Sequence, residues 1–248
     1  MSFAFLRQRS SKEEWPAEIE IGGRTLPLVI NENPRAKRLT MRCQPGARGI
    51  KITIPPRTPR DVVDGFIVRN DGWLRAQIEK QPDRPNVRDG IKLPIRGVNH
   101  VIVHVPGRGV TDVHDGDAGP ALHVRGESRF LARRVADYLK KEAKRDIDAL
   151  VAHHASKVGK RVKSIRYRDT TSRWGSCSSD GNLSFSWRIM MAPPAVINYL
   201  VAHECAHLRE MNHGPKFWAL CEELCPDTQR SKQWLKRNGG KLQAIDFS

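Results

Sequence analysis

Residues 203–214, HECAHLREMNHG, gather three histidines and two glutamates within twelve positions. Such groups are costly to bury unless something pairs with them, so their density points to chemistry. His203 and His207 are four apart, which on a helix stacks both imidazoles on one face. Two imidazoles so placed can share one metal ion. Glu204 lies beside that face, where its carboxylate would reach a water on the metal more readily than the metal itself. This is the H-E-x-x-H arrangement of zinc hydrolases.

A catalytic zinc takes three protein ligands and keeps one position open, so a third ligand is needed. Glu222 and Glu223 stand at the longer distance some zinc peptidases use. Glu210, three residues after His207, is a candidate supporting group. His213 is favoured, provided the helix ends before it: an unbroken helix would carry its ring away from the pair. Asn212 can adopt the left-handed conformation that ends helices, and Gly214-Pro215 blocks resumption in register. The pair His153-His154 points about 100° apart on its helix and is not expected to share a metal.

Other residues bear on a substrate. Arg173 and Trp174, which open "RWGSCS", and Trp187 are candidate substrate-binding groups, with burial in the core as the alternative for the tryptophans. Tyr167, Arg173 and Arg188 are candidates for stabilising a developing oxyanion. Tyr199, one turn before His203, is expected to pack beneath the site. Cys221 and Cys225 complete an apolar helical stripe with Phe217 and Leu224, and read as core.

The elements that must position these groups follow from pattern. The front of the chain is β-rich: "AEIEIGGRTLPLVINE" is a hairpin turning at Gly22-Gly23, and "AKRLTMRC" and "GIKITIP" are further strands around "QPGARG". One helix is expected from Thr58, as N-cap, to Gln81. "PDRPNVRDG" reads as a linker, followed by short strands with glycine turns. From Glu127 a long amphipathic helix begins. A strand "KSIRYRD" and a hairpin centred on "SSDGN" follow, then a helix opened by Pro193-Pro194. We therefore expect a β-rich region over 1–126 and a catalytic domain over 127–248.

Composition bounds the setting. The chain has 248 residues, 39% hydrophobic and 28% charged, which suits a folded protein with a sizeable core. No run is long and apolar enough to span a bilayer, and "MSFAFLRQRSSKEEW" is too short in apolar residues for a signal peptide. No membrane partner is expected. The five cysteines are odd in number and scattered, which suits reduced thiols and a cytoplasmic location. The net charge is +16, so nucleic acid is a candidate partner through a basic surface. Lys157, Lys160, Arg161, Lys163, Arg166, Arg168 and Arg173, with Asp169 the sole acid among them, form the densest cluster.

The spacing of the three histidines equals that of the metzincins, but Glu210 stands where they have glycine. A different resemblance covers roughly residues 25–245. "SRWGSCSSDGNLSFSWRIMMAPP", "YLVAHECAHLREMNHGPKFW", "WLKRNGGKL" and the "FIVRNDGWLRAQI" helix resemble the YgjP-like metallopeptidases, zincin-fold proteins related to the SprT and WLM groups. The resemblance implies an α+β zincin-like domain, with the active-site helix beside a small antiparallel sheet. It implies one Zn²⁺ per chain on His203, His207 and His213, and Glu204 as catalytic glutamate. Glu204 would then be the general base toward a zinc-activated water in peptide hydrolysis. The substrate would be a peptide or protein, laid along the edge strand "RWGSCS". Two rival functions are a nucleic-acid-associated protease acting on DNA-bound proteins and a non-catalytic zinc scaffold.

Overall fold

The computed structural model describes residues 15–44, 49–79, 85–117, 119–170 and 173–247. Among them six α-helices and three small sheets make an α+β protein, β-rich at its N-terminal end. No described helix is long and apolar enough to cross a membrane. The chain forms two compact units, Met1–Gln81 and Pro82–Ser248. The N-terminal residues 1–14 and the turn residues 45–48 lie outside the described residues.

The first unit carries strands β1 (Glu18–Ile21), β2 (Arg24–Glu32), β3 (Thr40–Cys43) and β4 (Ile50–Ile54), in the order β1-β2-β4-β3. The expected hairpin joins β1 to β2, with both Gly22 and Gly23 at positive φ, a backbone only glycine adopts without penalty. The single expected helix is two, α1 (Arg60–Arg69) and α2 (Asp71–Glu79). Asn70 ends the first, its side-chain amide donating to the Phe66 carbonyl at 2.7 Å. Thr58 does not cap it: Pro59 is the N-cap, and the Thr58 hydroxyl donates to the Pro55 carbonyl. The core of this unit gathers Ile50, Ile52, Ile54, Val63 and Leu74.

The second unit begins with β5 (Lys92–Ile95), β6 (Val98–Val105), β7 (Asp112–Gly116) and β8 (Gly119–Arg125), ordered β5-β6-β8-β7. Helix α3 (Leu131–Val158) follows and stops at Gly159 in the left-handed conformation. Then come β9 (Ser164–Arg168), β10 (Gly175–Cys177) and β11 (Asn182–Ser186), ordered β10-β11-β9. Strands β10 and β11 pair antiparallel as expected, and β11 pairs parallel with β9. A 3₁₀ segment, Trp187–Met191, leads into α4 (Pro194–Ala206), α5 (Pro215–Leu224) and α6 (Thr228–Ala244).

The division between units falls earlier than the expected boundary at 126/127. The reason is packing: Leu93, Ile95, Ile102, Leu122 and Val124 of the β5–β8 sheet share one core with α3 and α4. The expected linker over 82–90 is also partly structural. Its first residues lie outside the described ones, but the Val87 amide donates to the Asp246 carbonyl at 3.0 Å, and the Asp246 amide to Pro85 at 3.1 Å.

Candidate metal centre

Helix α4 is apolar on almost every side and buried accordingly. Its last turns carry the chemistry. His203 and His207 sit on one face, as their spacing requires. The helix ends at Ala206, with His207 as its C-cap, six residues before the expected break. The ending is a tightening turn: the amides of Leu208 and Arg209 donate three residues back, to Cys205 (3.0 Å) and Ala206 (3.1 Å). An Arg209 guanidinium N–H donates to the Val158 carbonyl at the end of α3, anchoring the reversal. Asn212 is not among the residues at positive φ. The chain instead turns tightly, with the Gly214 amide donating to the Asn212 carbonyl at 2.7 Å.

That reversal folds His213 back. Its Nε2 lies 3.2 Å from His203 Nε2 and 3.2 Å from His207 Nε2. All three ligand atoms fall within 4.8 Å of one another, the one such His/Cys/Asp/Glu cluster among the described residues. Glu222 and Glu223 are exposed on α5 and outside it. Glu210 takes part through its backbone: the His207 Nδ1–H donates to the Glu210 carbonyl at 3.1 Å. A carbonyl only accepts, so His207 carries its proton on Nδ1 and keeps a lone pair on Nε2. Burial pushes His203 down to about 4, with His207, His213 and Lys232 adding to the shift, so its ring is neutral as well. Its Nδ1 is buried with no hydrogen-bond partner among the described residues.

Converging imidazole nitrogens suit zinc. Nitrogens held about 2.0–2.1 Å from a tetrahedral Zn²⁺ stand about 3.3–3.4 Å apart, close to the 3.2 Å found. The fully buried Phe217 ring lies beneath all three, with centroids 4.9, 4.4 and 4.7 Å from His203, His207 and His213. Trp218 stacks on His213 at 5.7 Å and is capped by the Lys232 ammonium at 3.8 Å. Tyr199 meets His203 edge-on at 5.8 Å and is buried, as expected.

Glu204 is only 4% exposed. Burial pushes its carboxyl up to about 8, and the positive charge of Arg173 opposes that shift. The carboxylate rests where a side chain on Gly175 would be. A Cβ there would stand 2.7 Å from Glu204 Cγ and 2.8 Å from Cδ. Gly175 went unnoticed in the sequence, where a lone glycine in a strand carries no signal of what approaches it.

The remaining candidates divide. Trp174 is half-buried beside β10, its indole against Gly239. It lines, with Arg173, a cleft of roughly 580 Å³. Trp187 is 3% exposed and packs edge-on against Phe247 at 5.1 Å, so it is core and not a groove wall. Arg188, 2% exposed, pairs with Asp169 at 2.5 Å and donates to the Ile245 carbonyl at 2.7 Å. The Tyr167 hydroxyl is committed to Asp148 at 2.5 Å. Of the three oxyanion candidates, Arg173 alone has its charge directed at Glu204. His154 is buried and bonded to Asn198 at 2.8 Å, with no part in the cluster. Cys205, Cys221 and Cys225 are buried thiols.

A family model described as YgjP-like, metallopeptidase domain matches residues 37–238. A comparison with curated proteins finds no match. Among solved structures the chain is similar to the crystal structure of the metallopeptidase zymogen of Pyrococcus abyssi abylysin. The identity is 23% and the TM-score 0.35, over 40% of this chain and 97% of that one.

Proposed function

The chain belongs to the YgjP-like metallopeptidase domain family, and from that premise we propose that it is a zinc peptidase whose metal is held by His203, His207 and His213, with Glu204 as general base. The observation that carries this reading is the meeting of three imidazole Nε2 atoms, with the buried Glu204 next in sequence to His203. Zinc bound there would supply a Lewis acid that acidifies a water and polarises the scissile carbonyl. Glu204 would take a proton from the attacking water on a carboxylate oxygen and pass it to the leaving amine. Arg173 and Trp174 meet the substrate at the start of β10.

Strand β10 is the edge of its sheet. An edge offers unpaired N–H and C=O groups to an extended peptide. It pairs with an internal segment as readily as with a terminus, which favours endopeptidase action. Glu204→Gln is the test. The variant is expected to keep its fold and one zinc per chain, and to lose about 10²–10⁴-fold in hydrolysis of a denatured protein. His203→Ala combined with His207→Ala is expected to lose the metal. Equal turnover by Glu204→Gln, or stoichiometric zinc in the double variant, would overturn the assignment.

A further inference from the structure

The three-stranded sheet has two faces, and the catalytic groups use one. Leu183 and Phe185 of β11 point into the core, and Gly175 of β10 faces Glu204 from the same side. The other face is polar. Arg166 is in register with Ser184, and Ser184 with Ser176, so the three share one side of the sheet. Arg168 follows two residues on. These side chains, with Thr170, Arg173, Trp174, Ser178 and Asn182, line the cleft of roughly 580 Å³.

The charge there is mostly basic: Asp180 lines the same cleft, against Arg166, Arg168 and Arg173. Arg166 and Arg168 are exposed and form no ion pair among the described residues. Asp169, the neighbouring acid, is bound by Arg188. Lys157, Lys160, Arg161 and Lys163, all exposed, lead from the end of α3 into β9. The Lys163 amide donates to the Gly181 carbonyl at 2.9 Å, tying this strip to the β10–β11 turn.

We propose that this outer face and its basic strip bind the phosphodiester backbone of a single-stranded nucleic acid. Arginine forks and hydroxyls together suit phosphate oxygens. Arg166 and Arg168, alternate residues of β9, stand about 6.6 Å apart, a spacing two successive phosphates of an extended backbone can follow. The face measures about 10 Å from β9 to β10, which suits one strand. An acidic peptide is the less fitting occupant of this face, because main-chain bonds to an extended peptide form in the plane of the sheet, at the open edge of β10, and not above it. This proposal does not depend on the peptidase reading.

The test is fluorescence anisotropy of a labelled mixed-sequence 12-nucleotide DNA with the full chain at 50 and 200 mM salt. Arg166→Ser with Arg168→Ser is expected to weaken binding tenfold or more and to lower the salt slope by about 1.4, at ~0.7 for each phosphate that is no longer neutralised. Lys160→Ser with Lys163→Ser gives a second, independent reading in the same direction. Lys37→Ser with Arg38→Ser removes equal charge from exposed positions of the first unit and is expected to change affinity less than twofold. Equal losses from this last pair and the other two would overturn the proposal in favour of diffuse attraction. Displacement of the DNA by polyglutamate of equal charge at equal concentration would replace it with an acidic-peptide surface. Absence of binding at 50 mM salt would end it.

Discussion

Glu204 occupies its place because the residue facing it has no side chain. Gly175 is not at positive φ, so its requirement is space and not backbone freedom. A methyl there meets Cγ and Cδ of Glu204 and lies closer still to Oε1. Gly175→Ala is expected to shift the carboxylate, leave zinc content unchanged, and lower kcat/KM by roughly 10²-fold, the cost typical of a displacement near 1 Å. Unchanged kcat/KM would show that the proposed base works from another position. At this scale the sequence reveals much of the cluster but little of its surroundings. The His203–His207 spacing follows from helical periodicity alone. The Phe217 ring under all three imidazoles, and the use of the Glu210 carbonyl instead of its carboxylate, depend on how the chain closes.

The decisive element is the end of α4. The sequence argument correctly requires a break before His213 but puts it at Asn212 through a left-handed turn. The helix stops at Ala206, because its last amides turn to carbonyls three residues back and Arg209 is held by α3. Asn212 needs no special conformation, so Asn212→Ala is expected to leave zinc affinity within about threefold, the Glu210 carbonyl and the three rings being untouched. His213→Ala removes one nitrogen of the cluster and is expected to weaken zinc by about 10²-fold or more, on the order of a lost ligand. Glu222→Ala and Glu223→Ala remove side chains outside the cluster and are expected to have no effect. Titration of the variants against a competing chelator ranks them, and tight zinc binding by His213→Ala would return the third ligand to a glutamate.

Among the described residues there are two hydrophobic cores, one in each unit. Every residue of the proposed centre belongs to the second unit. Ile52, fully buried in the first core, tests that separation. Ile52→Ala is expected to cost about 2–5 kcal/mol in stability while leaving zinc stoichiometry at one per chain. Denaturant unfolding and metal analysis of the same preparation check both halves, and loss of zinc from the folded variant would show the first core to be needed by the centre.

The sequence by itself determined what is local. It carried the family resemblance, the α+β class, the hairpins at Gly22-Gly23 and at 175–186, and the histidine pair on one helical face, because periodicity and turn chemistry act over a few residues. It could also assign Cys221 and Cys225 to the core from their helical spacing. Tertiary structure decided what depends on contacts between distant segments. It buried Trp187 against Phe247, committed Arg188 to Asp169, and drew the β5–β8 sheet into one core with α3 and α4. It also brought Gly175 to Glu204, far apart in the chain, because packing density in a core is set by which surfaces meet and not by the order in which residues are joined.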